Sequence, residues 1–448
     1  MTNANTTPAP LSNFNANERW CVTGDSLTHS GFYHEYIHLY YATRFPESRL
    51  ELFNCGINGN KASSILTRLE NDVLVHQPTL ISILIGMNDV GQMFPADKTD
   101  EYRREERAKD VAAFGVNMKS LLTRLQKTGI RTLLITPPLY DETLVDPAVC
   151  LVNRGHQGAL VQCAAIVREL AADFGMAVID WNQALADWNA RLQKDNPAAT
   201  LVGLDRVHPG EMGHFVMAYE FLKAQGAPRE VSRIAVDALT AQPGNLANCT
   251  ISRIMKAPGI IGFECREKSL PFPVPTACRA ALEFLPFMDE LNREMLQVEG
   301  LDAGSYQVRI DGINVQAYSA EQLRTGVNLA VEVSTPQYRQ AQTVQELTAR
   351  RAHIYRTHLR CIAEMEWGFL ESVDRAGKSL DELKAILDEK IEKEKGMPWY
   401  DFCKGQAVLY VNSKPHEESY QREVEILLDQ INSINKPQPH YFEVSRVR

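Results

Sequence analysis

Cys21-Val22-Thr23-Gly24-Asp25-Ser26-Leu27-Thr28-His29-Ser30 opens as an apolar run of strand length, stops at a glycine and then presents a serine. A serine hydroxyl becomes a nucleophile when a base takes its proton and preorganised donors hold the oxyanion it creates. Candidates for both lie downstream. Asp205-Arg206-Val207-His208 sets a carboxylate three positions from an imidazole, just before Pro209 and a helix-like segment, so that one can orient the other. Gly59 and Asn88 follow two further strand-like runs, where each can donate a hydrogen bond.

Around this stretch, residues 18–227 alternate apolar runs of strand length with amphipathic runs of helix length, the pattern of a parallel sheet covered on both faces. Strands are expected near Trp20–Thr23, Leu50–Asn54, Leu80–Ile85, Thr132–Thr136 and Ala177–Asp180. Tyr33, Tyr36, Ile37, Tyr40 and Tyr41 recur at helical spacing and form one core-facing stripe. A long helix is expected over Glu101 to Lys127, ended by Gly129, and a last one from Pro209 to Ala224. Ser26 then falls where a strand gives way to a helix, at the carboxyl edge where open α/β sheets place their sites.

Four blocks in this order resemble the GDSL or SGNH hydrolase superfamily: Gly24-Asp25-Ser26-Leu27, Asn54-Cys55-Gly56-Ile57-Asn58-Gly59, Gly86-Met87-Asn88-Asp89, and Asp205 to His208. One such tetrapeptide is weak evidence, but four in sequence order are specific. The resemblance covers residues 15–227 and leaves the rest of the chain unexplained. It implies a three-layer α/β/α, flavodoxin-like parallel sheet and a serine hydrolase acting through an acyl-enzyme. Ser26 would be the nucleophile, His208 the base and Asp205 the group that orients it. The oxyanion donors implied are the backbone amides of Ser26 and Gly59 and the side-chain amide of Asn88.

Each residue also has a plainer reading: His208 as a surface imidazole at a helix start, Gly59 as a turn glycine, Asn88 as a loop-forming amide. The constellation favours the catalytic reading. His29 is a local rival base, but no carboxylate at comparable spacing supports it. Asp89 reads as a brace for its loop. One departure stands out: Asn58-Gly59-Asn60 occupies a block where many relatives carry a serine before the glycine and an aspartate after it.

At 448 residues with 44% apolar content, the chain is expected to form two or three well-packed domains. Its 47 Lys and Arg against 56 Asp and Glu give a net charge of −9 without long like-charge runs, which argues against nucleic acid as a partner. No stretch has the length and apolarity of a membrane span. Met1 to Asn17 is polar and lacks the basic and apolar regions of a signal peptide, so the chain as written is expected to be cytoplasmic, with a longer exported precursor left open. Nine cysteines with no Cys-x-x-Cys pair read as reduced, packed thiols. His34 and His38 are four apart, but they are expected on the polar side of the first helix rather than in a metal site. No Walker loop or dinucleotide fingerprint occurs, so no cofactor is expected.

The organisation expected is a polar segment over 1–17, a catalytic domain over 18–227, a small β-rich module over 228–333 and a helical region over 334–448. Prolines at 228, 243, 258, 271, 273 and 275 break up long helices in the module, and Tyr306 to Ala317 around Asp311-Gly312 is a hairpin signal. Thr335 and Pro336 open one helix and Ser379 with Glu382 another, with a third over Glu417 to Ile434. Functionally the chain reads as an esterase for short acyl groups on a polar alcohol, with a carbohydrate ester among the expected substrates. Met93, Phe94 and Pro95 would wall one side of the acyl pocket, and the helices after Thr335 would fold back over the site. The alternatives are a lipase, lysophospholipase or thioesterase of the same superfamily, and a catalytically silent glycan-binding protein.

Overall fold

Strand β1 (Arg19–Gly24) lies in a five-stranded parallel sheet of order β2-β1-β3-β4-β5, with β2 (Glu51–Gly56), β3 (Leu80–Leu84), β4 (Arg131–Ile135) and β5 (Ala177–Ile179). The computed structural model describes residues 8–92, 94, 98–143, 153–397 and 399–447. The strands are nearly continuous apolar runs because both faces of the sheet are covered. On one face α3 (Ala62–Arg68), α4 (Asp100–Gln126) and α5 (His156–Phe174) pack in succession. On the other, α2 (Phe32–Arg44) packs on α7 (Glu211–Ala224), which is joined by α6 (Trp181–Asp195). The fold is the expected three-layer α/β/α sandwich.

The tyrosine stripe of α2 is core, with Tyr33 and Tyr40 wholly buried. His34 and His38 are buried too, which corrects their expected place on a polar face. The reason is a second partner. Helix α10 (Pro336–Ile354) packs on α2 from the far side, so that helix has no solvent face, and the two rings bond the carbonyls of Thr28 (3.0 Å) and Leu50 (3.1 Å). Residues 8–17 form no regular element, yet Phe14 packs between Trp20 (4.8 Å) and Tyr41 (4.5 Å).

Beyond Gly226 two further sheets share one apolar core. The first has the order β13-β10-β6-β7, from β6 (Glu230–Asp237), β7 (Gln242–Pro243), β10 (Arg293–Glu299) and β13 (Val327–Asn328). The second has the order β12-β11-β14-β9-β8, from β8 (Cys249–Ala257), β9 (Ile260–Glu267), β11 (Ser305–Ile310), β12 (Ile313–Ser319) and β14 (Pro439–Arg446). The expected hairpin is β11–β12: Ile310 pairs with Ile313, and Asp311 and Gly312 both have positive φ (50° and 77°), the type I′ geometry. Strand β14 corrects an all-helical reading of the chain after 334. Its alternation of Phe442 and Val444 with polar residues is a strand pattern of only a few residues, and its partners β9 and β11 lie more than a hundred positions away.

Besides the short α1 (Ser26–Ser30), the remaining α-helices are α8 (Phe287–Leu291) and α9 (Ala320–Thr325) in the module, then α11 (Arg360–Glu364), α12 (Leu380–Glu392), α13 (Tyr400–Ser413) and α14 (Glu417–Ile434). Thr335 caps α10 by accepting from Tyr338 N, and Ser379 and Glu382 form a reciprocal capping box on α12. Helix α13 was not anticipated. Its apolar residues face two ways, with Tyr410 buried and Phe402 half exposed, so no single stripe marks it.

Where the three regions meet, Glu294 of β10 lies wholly buried beside Glu267 of β9. Glu267 accepts from Ser232 and from Gln337 of α10 (2.9 Å), while Glu294 has no donor and faces the charge of Arg44 from α2. Burial, then the charge of Glu267, push the Glu294 carboxyl well above its ordinary range. The folded chain therefore keeps a proton that the unfolded chain loses above about pH 4.3. Stability must fall as pH rises from there toward the folded value, by about 1.4 kcal/mol per pH unit per proton. Glu294→Gln, whose amide can donate to Glu267, should flatten this slope and raise the melting temperature near neutrality by a few degrees. Thermal melts from pH 5 to 8 provide the check, and an unchanged slope would contradict the protonated state.

Candidate active site

The site begins with a close approach of backbone to backbone. Strands β1 and β2 end at Gly24 and Gly56, and the short helix α1 (Ser26–Ser30) turns directly across them. A methyl group on Gly56 would collide with His29 N and come within 2.6 Å of the Thr28 carbonyl carbon, and one on Gly24 would collide with Leu84 O. Glycine at both strand ends lets α1 lie on the sheet edge. Asp25 caps α1, accepting from Leu27 N at 3.1 Å. Its carboxyl is buried, and burial pushes it up to about 7 against the pull of the Leu27 N–H and the His208 charge.

Ser26 Oγ lies 2.7 Å from His208 Nε2, and His208 Nδ1 lies 2.6 Å from Asp205 Oδ2. The other Asp205 oxygen accepts from the backbone amides of Val207 (3.0 Å) and His208 (2.9 Å), which fixes the carboxylate in its own turn. That turn is pinched shut by Gly203 N on His208 O (2.7 Å) and by a bridge between Val202 and Pro209. Arg206 takes φ +65° within it, and its carbonyl and guanidinium both meet Asp141, at 3.2 and 3.4 Å. Burial works against both charged partners, but their hydrogen bond and mutual charge outweigh it. The Asp205 carboxyl is pulled down to about 2, and the His208 imidazolium is stabilised above its ordinary value. Both side chains remain about half exposed, at 53% and 49%. His29 is buried three residues along α1, and burial holds it neutral, down to about 3.

The two remaining predicted residues sit on neighbouring loops. Gly59 has φ +71°, with open space where a side chain would point. Asn88 donates one amide hydrogen to Asn60 O at 3.1 Å, which ties its loop to the residue after Gly59. Asp89 accepts from Ala62 N at the start of α3 (3.0 Å), the bracing role expected of it. Of the pocket wall expected from Met93, Phe94 and Pro95, only Phe94 is among the described residues; Arg107 stacks on its ring at 5.1 Å.

Residues 22–215 match the GDSL-like lipase/acylhydrolase family. A solved structure of a gut microbial diltiazem-metabolizing enzyme is 31% identical, aligns over 98% of this chain and 100% of its own, and superposes with a TM-score of 0.89. This chain belongs to the GDSL-like lipase/acylhydrolase family. An acetylxylan esterase of Geobacillus stearothermophilus is 26% identical over 182 residues, 41% of this chain and 75% of its own. A crystal structure of an acetylxylan esterase from that organism aligns over 47% of this chain and 95% of its own, at 24% identity and a TM-score of 0.38. Family membership and the 31% identical structural relative make the protein a GDSL-type hydrolase of ester bonds.

Among the described residues of this GDSL-type hydrolase, no helix is long and apolar enough to cross a membrane, and no three His, Cys, Asp or Glu gather as metal ligands. Sequence reasoning missed the residues that steady the site from behind. Asn54 donates to His29 O (3.1 Å) and accepts from Gly56 N (2.9 Å), and Arg68, Asp72, Arg360 and Glu364 brace the loop after β2. The departure at Asn58 and Asn60 was the one visible sign of them.

The glycine contacts yield a direct test. Gly56→Ala must push α1 off the sheet edge, an overpacking cost of about 1–3 kcal/mol. A melting temperature lower by several degrees, together with loss of most ester hydrolysis, is the expected result.

Proposed function

We propose that this hydrolase cleaves short-chain carboxylic esters of polar alcohols through an acyl-enzyme on Ser26. His208 Nε2 takes the serine proton as Oγ attacks the carbonyl carbon, then returns it to the departing alcohol. Water, deprotonated by the same nitrogen, attacks the acyl carbon and frees Ser26. Asp205 holds Nδ1–H toward itself and stabilises the imidazolium. The oxyanion is received by the backbone amides of Ser26 and Gly59 and by the second amide hydrogen of Asn88, the first being engaged by Asn60 O. The observation that carries this reading is the unbroken line from Ser26 Oγ to His208 to Asp205, at 2.7 and 2.6 Å.

Two considerations favour a small acyl group on an alcohol that stays in water. His208 and Asp205 are half exposed, which leaves the leaving-group side of the site open to solvent. The curated relative is named for acetylxylan, an acetylated carbohydrate, and the long structural relative for diltiazem, itself an acetate ester.

Ser26→Ala should lower hydrolysis of an aryl acetate by several orders of magnitude with an unchanged melting curve, as in other triads. An organophosphonate should label the wild type once, at Ser26; full turnover by Ser26→Ala would reject the mechanism, and a chain that neither labels nor turns over would be a binding protein. In an assay of acetate release, acetylated xylo-oligosaccharides, diltiazem and aryl acetates should outrun octanoyl and longer esters. Long-chain preference with a jump above the micellar threshold would replace this reading with a lipase.

The base must be neutral to accept the proton, and Asp205 stabilises its charged form. Activity should therefore rise with pH along a limb centred above the ordinary histidine value of about 6.5. Asp205→Asn should move that limb to lower pH while depressing the plateau; kcat/KM profiles of both enzymes decide it.

A further inference from the structure

We propose that Arg360 and Glu364, on the short helix α11 of the C-terminal region, are positioning residues that hold the loop Gly56–Asn60 and thereby set the oxyanion donor at Gly59. The proposal rests on the serine-esterase reading above. Arg360 Nε donates to Gly56 O at 2.9 Å, and the Glu364 carboxylate accepts from Asn58 Nδ2 at 3.0 Å. Two residues of the α/β domain fasten the other end: Arg68 Nε donates to Asn60 Oδ1 (2.8 Å) and Asn88 Nδ2 to Asn60 O (3.1 Å). Gly59 is thus flanked by clamps at 56, 58 and 60, and the clamps at 56 and 58 come from a part of the chain three hundred residues away.

The local geometry is built for this contact. Single π turns over 355–359 and 365–369 flank α11. Such single π turns inside α-helices are frequent at functional sites. Arg360 and Glu364 lie one turn apart on one face of α11, both buried. The guanidinium is itself immobilised by paired bonds to Asp72 (2.9 and 3.0 Å). The residue types agree as well. A carboxylate held against the loop needs a donor there, and Asn58 supplies an amide N–H. Asn60 likewise offers an amide oxygen to a guanidinium.

A donor displaced by a fraction of an ångström loses most where charge develops, in the transition state, and little in the ground state. Loosening the clamp should accordingly lower kcat and leave KM nearly unchanged.

The test uses the full chain, with Glu364→Ala, Glu364→Gln, Asn58→Ala and the Glu364→Ala/Asn58→Ala double variant beside Ser26→Ala. In Glu364→Ala, kcat for an aryl acetate should fall about tenfold to a hundredfold, less than removing a donor outright, with KM within about twofold. Affinity for an arylboronic acid, which becomes tetrahedral on the serine, should fall in parallel. Glu364→Gln, whose carbonyl oxygen can still accept from Asn58, should recover most of the rate. The double variant should be no slower than the slower single variant, because both remove one contact. Unchanged kcat in a folded Glu364→Ala, a loss confined to KM, additive losses, or Gln as damaging as Ala would each overturn the proposal. If Glu364→Ala does not fold, Asn58→Ala carries the same kcat, KM and boronate comparison. Failure of the esterase reading itself would look different, as an active Ser26→Ala.

Discussion

A buried carboxylate shared by two guanidiniums holds this structure in register. Asp72 receives Arg68 from the α/β domain and a bidentate Arg360 from the C-terminal region, with all three side chains nearly inaccessible to solvent. Burial alone would raise the carboxyl, but the two cations outweigh it and keep Asp72 ionised. Two positive charges on one negative leave an excess that backbone carbonyls absorb: Arg68 reaches Gly24 O (3.4 Å) and Arg360 reaches Gly56 O (2.9 Å). Desolvating such a cluster consumes much of what its Coulomb attraction returns, so its main contribution is geometric specificity rather than stability. The carbonyls it grips belong to the two glycines over which α1 crosses the sheet edge.

The proposed catalytic constellation follows from that edge. Ser26 stands at the start of α1 because β1 stops at a glycine. Gly59 follows β2, one strand over, which stops at the glycine paired in register with Gly24. His208 is brought in by a turn that needs no support from the sheet. It is closed by its own backbone bonds and anchored to Asp141, and it leaves its imidazole and carboxylate half in water. Ser26 and the loop of Gly59 are therefore braced from behind, while the His208–Asp205 pair is local and open to solvent.

How much of this was legible in the sequence depends on the range of each determinant. The five parallel strands, the long helix α4 and the capped starts of α10 and α12 were readable because apolar period, capping residues and terminating glycines are local signals. Ser26, Gly59 and Asn88 were readable as candidates because strand ends in an α/β sheet converge on one edge, and Asp205 and His208 because a carboxylate three positions before an imidazole is a local pattern. What failed was whatever depended on distant partners. His34 and His38 look like a polar face until α10 covers them, α13 splits its apolar residues between two surroundings, and the clamp from Arg360 and Glu364 spans three hundred residues. The Asn58-Gly59-Asn60 departure carried the information, but only the partner side chains give it meaning.

The terminal strand makes that long-range clamp more than an accidental contact. The chain leaves the β sheets after β13, runs through the helices from Pro336 to Ile434 across α2 and the end of β2, and returns as β14 between β9 and β11. The helical region is thus topologically an insertion in the β module, fixed at both ends. At its entry Gln337 bonds the buried Glu267, and at its exit Asn435 bonds the Ala42 carbonyl of α2 at 2.9 Å. With both ends anchored, α11 has little freedom to retreat from the loop it touches. The strands of the module, although remote from Ser26, enter its chemistry by fixing where Arg360 and Glu364 can be. This chain divides the task of fastening the loop after β2 between Arg68 of the α/β domain and a helix that its appended regions hold in place.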